Sequence, residues 1–89
     1  MPWKIEFDQD VEKDLKKIDR QMQRRILDYL RQRVATSTDP RTLGKSLRGP
    51  LSHLFRFRVG DYRVICQIKD AQILILVISI AHRKEVYRD

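Results

Sequence analysis

Three arginines, Arg56, Arg58 and Arg63, are the side chains of this sequence best suited to chemistry on an anion. They lie in a stretch that alternates apolar and basic residues as a β-hairpin does, with Gly60-Asp61 as a two-residue turn. This register places Arg58 opposite Arg63, so all three guanidiniums share one face. Like charges opposed on a sheet are destabilising. Their clustering therefore predicts an anionic ligand, such as a phosphate that a guanidinium can bind bidentately.

The net charge of +7 is concentrated in the C-terminal half of the chain. Residues 41–89 carry ten basic and four acidic side chains, whereas residues 8–35 carry eight basic and six acidic ones. This asymmetry favours a nucleic acid over a small substrate as the partner. Charge alone leaves DNA, RNA, the ribosome and an acidic protein open.

Length and composition predict one globular domain over residues 1–89. The single cysteine, Cys66, excludes an internal disulfide and fits a reducing cytoplasm, where we expect the protein to act. No signal-like start is visible, and the apolar run over residues 73–81 is too short to span a bilayer, so we expect no membrane partner. No group of His, Cys or carboxylate residues has metal-ligand spacing. We therefore expect neither a metal nor another cofactor.

The first half of the chain predicts a strand followed by two helices. Apolar and charged residues alternate over residues 2–7, which indicates a half-buried strand. Asp8 is a favourable N-cap, and apolar residues then recur at helical spacing. The phase of this pattern is lost at Asp19-Arg20, which predicts an αα-hairpin with a tight turn. After the second helix, breaker residues predict a loop over residues 41–51.

The second half predicts a β-meander. The arginine hairpin supplies its first two strands, Asp70-Ala71 the next turn, and residues 73–80 the last strand. Because that strand is apolar on both faces, it is predicted to lie in the interior of the sheet.

Together these elements predict an α+β fold: an N-terminal strand, an αα-hairpin, an antiparallel three-stranded meander and a short C-terminal tail. Both helices are expected to pack on one face of the sheet, the face that carries Phe55, Phe57, Val64 and Cys66. The arginine face is then open, with Ile65 and Leu76 as its apolar floor.

Three segments resemble the RelE branch of the RelE/ParE toxin superfamily. They are LGKSLRG at residues 43–49, LFRFRVGDYRVI at residues 54–65 and IAHRKEVY at residues 80–87. The predicted order of elements also matches this family, so the resemblance covers the whole chain. Each motif is short, and their combined order, spacing and charge make the resemblance specific.

The resemblance implies a toxin of a type II toxin–antitoxin pair that enters the A site of the 30S subunit and cuts mRNA there. The implied chemistry is metal-free: the ribose 2′-OH attacks the adjacent phosphate and leaves a 2′,3′-cyclic phosphate and a 5′-OH. The implied partners are the ribosome, mRNA and a cognate antitoxin that covers the arginine face. A toxin–antitoxin hetero-oligomer could also bind operator DNA through the antitoxin.

The resemblance also implies which side chains act on the RNA. The implied catalytic positions are Arg56, Arg58, Arg63, Arg83 and Tyr87, with Tyr87 stacking on the target base. Relatives often carry lysine where this chain has Arg56 and Arg58. Arginine is a poor general base. If a lysine is the general base in those relatives, the residue that acts as general base in this chain is undetermined.

His82 is the side chain near these positions that titrates near neutrality. Two interpretations stay open for it, an acid–base role and a role in packing or substrate contact. Lys45, Arg48 and Lys84 are candidate RNA-binding residues, although Arg48 could instead order its loop.

Two other residues have structural interpretations. Cys66 faces the core in the predicted register and is expected to be a buried apolar residue. His53, in the loop before the hairpin, is expected to be structural or neutral.

The alternative function is that of the ParE branch, which shares the fold and inhibits DNA gyrase without catalysis. The basic constellation with Arg83 and Tyr87 favours the nuclease, because a gyrase inhibitor has no need of it.

Overall fold

The computed structural model describes residues 2–84 as a five-stranded sheet with two helices packed on one face. The elements in chain order are β1 (Lys4–Phe7), α1 (Gln9–Lys16), α2 (Arg20–Tyr29), β2 (Lys45–Ser46), β3 (Leu54–Val59), β4 (Tyr62–Lys69) and β5 (Leu74–His82). The strands are ordered β1-β5-β4-β3-β2 across the sheet. Only β1 and β5 pair in parallel, and the other neighbouring strands are antiparallel.

Both helices begin at an aspartate, because its side chain satisfies backbone N–H groups that the first turn leaves without partners. The Asp8 carboxylate accepts from the N–H of Asp10 at 3.2 Å, and that of Asp19 accepts from the N–H of Met22 at 2.8 Å. The predicted helical hairpin and its N-cap at Asp8 are thus confirmed. None of the helices in residues 2–84 is long and apolar enough to cross a membrane.

A single glutamine ties the two helices together. The Nε2 atom of Gln23, on α2, donates to the carbonyls of Leu15 and Ile18 at 2.6 and 2.7 Å. Both carbonyls lie where α1 ends, and that of Leu15 also accepts from the Ile18 N–H at 3.0 Å. The two hydrogen bonds from Gln23 therefore help to fix the angle between α1 and α2.

The core lies between the helices and the covered face of the sheet. Phe57, Val64 and Cys66 are fully buried there, in one cluster with Ile26 of α2 and with Leu30, which directly follows α2. No polar side chain is buried among residues 2–84. The prediction that the helices cover this face is confirmed, as is the interior position of β5 between β1 and β4.

The segment predicted as loop over residues 41–51 contains structure that the sequence pattern did not predict. Short 3₁₀ turns form at Pro40–Leu43 and Gly49–Leu51, and β2 lies between them. Two residues are too few to show an alternating pattern, so β2 was missed. It pairs with β3, because Gly44 lets the backbone approach within contact of Phe57.

Strand β5 runs from Leu74 to His82, two residues beyond the predicted end. Ile73 belongs to the preceding turn instead, where its φ of 49° is left-handed. A β-branched residue rarely adopts this conformation, and for that reason the pattern placed Ile73 in the strand.

A β-bulge decides which residues form the floor of the open face. The register between β4 and β5 shifts between Ile65 and Cys66. Val77 and Ile80 are consequently both buried in the core although they are three residues apart. Leu76 pairs with Gln67 and projects from the open face, as predicted. The cavity on that face has Ile65 and Ile78 in its floor, and Leu76 lies outside its lining.

Candidate functional site

Four cationic side chains share the face of the sheet that the helices leave open. Arg58 is paired with Arg63 across the hairpin, and Arg56 is paired with Ile65 on one side and Lys45 on the other. Directly opposed residues project from the same face of a sheet. The hairpin register is therefore as predicted, and Lys45 joins the arginines from the short strand β2. We call these four residues the cationic face.

The hairpin turn holds this arrangement in place. Gly60 has a φ of 58°, which a two-residue hairpin turn needs and glycine adopts without strain. The Nε atom of Arg58 lies 3.5 Å from the Gly60 carbonyl, so the side chain stays beside the turn. Val59, which precedes the turn, is buried in the core and fixes which face of the hairpin is open.

Between Arg56 and Arg63 lies a cavity of about 230 Å³ with an apolar floor. Its lining comprises Leu47, Leu51, Leu54, Arg56, Arg63, Ile65, Ile78 and Ser79. Leu51 is 47% exposed, although large apolar side chains are usually covered. Two guanidiniums at the rim of an apolar cavity are less hydrated than on an open surface, which strengthens their attraction for an anion.

The cationic face carries no carboxylate partner within the described part of the chain. The two ion pairs found there are Arg41–Asp70 and Arg83–Asp61, and neither includes a residue of the cationic face. Guanidiniums without carboxylates keep their donors for a ligand, and phosphate oxygens match their fork geometry. The cavity lining contains no histidine, cysteine, lysine or carboxylate, so the face suits charge stabilisation better than proton transfer.

Arg83 lies next to the hairpin turn rather than within the cavity. Its backbone N–H donates to the Asp61 carbonyl at 2.7 Å, and its Nε atom lies 3.8 Å from Asp61 Oδ1. Both side chains are more than half exposed, so the pair is weak and open to competition. Lys84 follows it and is exposed.

His82 lies on the opposite face of the sheet from the cavity. It is paired with Tyr62, and the two rings meet edge to face with centroids 5.1 Å apart. It lines clefts against the helical hairpin, beside Asp19 and Met22. Its Nδ1 atom accepts from the Lys84 N–H at 3.1 Å. The structure thus does not bring His82 together with the arginines.

Arg48 precedes the 3₁₀ turn Gly49–Leu51, and its side chain is exposed. That turn is held by other groups: Gly49 has a φ of 62°, and the Ser46 hydroxyl donates to the Ser52 carbonyl at 2.6 Å. No hydrogen bond among residues 2–84 orders the loop through the Arg48 guanidinium. His53 is also exposed, just before β3.

The remaining candidates are Cys66 and Tyr87. Cys66 is fully buried, and this burial raises the pKa of its thiol far above the usual range, so it cannot act as a nucleophile. Tyr87 lies outside the described residues.

Sequence reasoning missed the clamp formed by Arg41. Its Nη1 and Nη2 atoms donate to Asp70 Oδ1 and Oδ2 at 2.8 and 2.6 Å, and its guanidinium lies 5.5 Å from the centre of the Phe55 ring. The partners are 29 residues apart, so no local sequence pattern predicts the pair. The apolar lining was also missed, although Leu47 and Leu51 are conspicuous in a loop otherwise rich in glycine and charge.

An open cationic face above an apolar cavity defines a protein suited to bind a phosphate-bearing partner. Residues 5–87 match the family described as ParE toxin of the type II toxin–antitoxin system parDE. The chain belongs to this ParE/RelE family of toxins, which confirms the resemblance seen in its motifs.

The similar proteins carry RelE-type names. The chain is 27% identical over 88 residues to toxin RelG of Mycobacterium tuberculosis, with 99% of each chain covered. It is 44% identical over 50 residues to toxin RelE of the same organism, covering 56% of this chain and 52% of that one.

Solved structures agree on the fold. The RelBE2 toxin–antitoxin complex of Mycobacterium tuberculosis matches with a TM-score of 0.84 at 24% identity, covering 93% of both chains. The archaeal RelE–RelB complex of Pyrococcus horikoshii matches with a TM-score of 0.73 at 26% identity, covering 97% of this chain and 100% of that one.

Proposed function

We propose that this toxin is a ribosome-dependent endoribonuclease that cleaves mRNA in the ribosomal A site. The observation that supports this most is the cationic face: Arg56 and Arg63 flank an open cavity and pair with no carboxylate of the described chain. Such a face suits a phosphodiester, and the RelE and RelG names of the similar toxins point to the same class of activity.

In the proposed reaction the ribose 2′-OH attacks the neighbouring phosphorus. A bond forms between O2′ and phosphorus, the bond from phosphorus to O5′ breaks, and the 2′-OH proton leaves as O5′ takes one up. The products are a 2′,3′-cyclic phosphate and a 5′-OH. Arg56 and Arg63 neutralise the charge that builds up on the phosphorane oxygens. Preorganised donors of this kind contribute about 3 kcal/mol each to lowering the barrier.

The general base is not among the side chains that line the cavity. Arginine stays protonated at any pH at which the protein is folded, and His82 is on the other face of the sheet. We therefore assign to Arg56, Arg58 and Arg63 the positioning of the phosphate and the stabilisation of charge. Arg83, beside the turn, is the candidate for contact with the leaving oxygen or the next phosphate, and Tyr87 stays the candidate for base stacking.

We also infer a cytoplasmic antitoxin partner. RelE chains similar to this one were solved in complexes with RelB antitoxins. A cationic face that pairs with no carboxylate among residues 2–84 matches an acidic segment that folds on binding and covers it. Lys45, Arg48 and Lys84 extend the basic surface around the face and are available for ribosomal RNA or for the antitoxin.

The alternative is inhibition of DNA gyrase, and the ParE description of the matching family favours it. The two functions make opposite demands on the arginines. A nuclease loses activity when one guanidinium of the cationic face is removed, whereas a non-catalytic inhibitor tolerates that change if its binding surface is elsewhere.

The decisive experiment is primer extension on ribosomes programmed with a defined mRNA, with purified toxin and with its Arg63→Ala variant. We expect cuts within the A-site codon that carry a 2′,3′-cyclic phosphate, and their loss in the variant. If neither protein cuts while the wild type traps gyrase on DNA, the gyrase function is correct.

A further inference from the structure

The near balance of charge over residues 8–35 conceals a split between the two helices. Helix α1 carries three acidic residues and two lysines. The continuous helix from Arg20 to Val34, formed by α2 and a π-helical turn at Leu30–Val34, carries five arginines and one aspartate. The basic character of the helical layer therefore belongs to the continuous helix from Arg20 to Val34.

Three of these arginines form a stripe along one exposed flank of this continuous helix. Arg20, Arg24 and Arg31 stand at spacings of four and seven residues, which bring side chains to the same side of a helix. With Gln23, Leu27 and Asp28 they line a shallow groove. At 1.5 Å per residue the stripe is about 16 Å long. We call Arg20, Arg24 and Arg31 the arginine stripe.

Two members of the arginine stripe, Arg20 and Arg24, oppose the stability of their own helix. Arg20 occupies the first turn, where the helix dipole repels a cation, and no acidic residue of that turn offsets it. Arg20 and Arg24 are also like charges four residues apart, which is unfavourable. No ion pair among residues 2–84 involves the stripe. Asp19 at the N-cap and Asp28, four residues after Arg24 and three before Arg31, offset part of this repulsion. The flank still carries a net positive charge, which suits an anionic partner.

The choice of arginine identifies the chemistry of that partner. The described cations of α1 are lysines, whereas those of α2 are all arginines. Both residues suit a solvated helix surface, but only arginine offers a planar fork for phosphate oxygens. The groove contains a single half-buried apolar side chain, Leu27, whereas a protein partner needs a larger apolar centre. A phosphate backbone needs none.

We infer that the arginine stripe is a second RNA-docking surface, and that it binds ribosomal RNA rather than the mRNA that is cut. The sheet separates the stripe from the cationic face, because α2 packs on the covered side. One single-stranded mRNA cannot reach both without wrapping around the domain. The toxin thus contacts RNA on two sides, one for chemistry and one for anchoring. The identity of this RNA rests on the proposed function.

The test compares two triple variants that remove the same charge. The stripe variant is Arg20→Gln/Arg24→Gln/Arg31→Gln, and the control is Lys4→Gln/Lys13→Gln/Lys16→Gln, whose lysines are exposed and outside every ion pair of the described residues. Binding to isolated 30S subunits without mRNA is measured between about 50 and 200 mM salt. Each lost phosphate contact lowers the slope of log K against log salt by about 0.7 to 0.9. We therefore expect the stripe variant to lower it by about 2 to 3. The control should change it by less than one contact.

Cleavage and folding supply the second readout. At saturating toxin the stripe variant should cleave A-site mRNA within a few-fold of wild type, and its Tm should be equal or higher because like charges are removed. Arg63→Ala should show the reverse, with 30S binding kept and cleavage lost. If wild type binds 30S through the stripe but never cleaves, the proposed function fails and this inference stands.

Three outcomes would overturn the inference while leaving A-site cleavage intact. In the first, both triple variants bind 30S alike, which makes the stripe a solvated surface. In the second, the wild type shows no salt-dependent affinity for 30S subunits. In the third, the stripe variant binds 30S as the wild type does but loses affinity for its co-expressed antitoxin, which assigns the stripe to an acidic protein.

Discussion

Arg41 and the cationic face show two uses of the same side chain in one small sheet. Arg41 meets Asp70 with two parallel hydrogen bonds and lies over the Phe55 ring, so its charge is paired within the protein. Arg56, Arg58 and Arg63 form an ion pair with no carboxylate among the described residues, and Arg56 and Arg63 line an apolar cavity. The first arrangement ties two turns together, and the second leaves its charge for a ligand.

This difference shows that charge density alone does not locate a site. Arg41 adds to the basic excess of residues 41–89 as much as Arg63 does, yet a carboxylate neutralises it locally. Hydrogen bonds from Arg41 lower the pKa of the Asp70 carboxyl, and the same bonds raise the pKa of Arg41. The useful criterion is a cation without an internal partner beside a cavity.

The largest expected effect follows from removing a guanidinium of the cationic face. Arg63→Ala should lower A-site cleavage by about 10²–10³-fold, because one preorganised donor to the phosphorane is lost. Single-turnover cleavage on programmed ribosomes measures it, and thermal unfolding should show a near-wild-type Tm. Arg41→Ala is the matched control and should cleave normally. Equal activity of both variants would remove the distinction between the two kinds of arginine.

A second prediction concerns the strand that brings Lys45 beside Arg56. In Gly44→Ala the new Cβ would lie 2.7 Å from the Arg56 carbonyl and 3.0 Å from the Phe57 ring. We expect the free energy of unfolding to fall by about 1–3 kcal/mol, as overpacking does. Chemical denaturation measures this, with exposed Lys45→Ala as the control for a neighbouring change without a clash. A variant as stable as wild type would mean that the β2 backbone can shift at little cost, and that β2 does not hold Lys45 beside Arg56.

A smaller effect is expected at His82, which the sheet separates from the cationic face. His82→Asn should keep cleavage within a few-fold of wild type and leave the pH–rate profile unchanged, since no proton transfer passes through it. The profile between about pH 5 and 8 covers the range in which histidine titrates. Loss of one limb of the pH–rate profile in His82→Asn would show that His82 takes part in proton transfer.

The smallest effect is expected from the clamp. Arg41→Ala should lower Tm by no more than a few degrees at neutral pH, because both partners are substantially exposed. The folded-state pKa of Asp70 is lowered, so the stabilisation is present above the usual carboxyl pKa of about 4 and is lost as pH falls through the lower folded value. Thermal melts across this range should therefore converge for variant and wild type at low pH. A difference that persists in acid would show that Arg41 acts through packing on Phe55.

Much of the fold could be predicted because its signals are local. The Asp8 cap, the break at Asp19 and the alternation around Gly60 each follow from a few neighbouring residues. The hairpin register in turn placed Arg56, Arg58 and Arg63 on one face. The site was thereby predicted as a surface, but not as a cavity.

The sequence by itself determined the order of elements, the covered face and the cluster of three arginines, because periodicity and turn chemistry act within a few residues. The tertiary structure decided the rest. The bulge opposite Ile65 placed Ile78 in the floor, pairing with β3 brought Lys45 to the face, and Asp70 neutralised Arg41 from 29 residues away. The tertiary structure also places His82 on the face of the sheet opposite the cationic face. These outcomes depend on contacts between distant segments, whose energies no local pattern records.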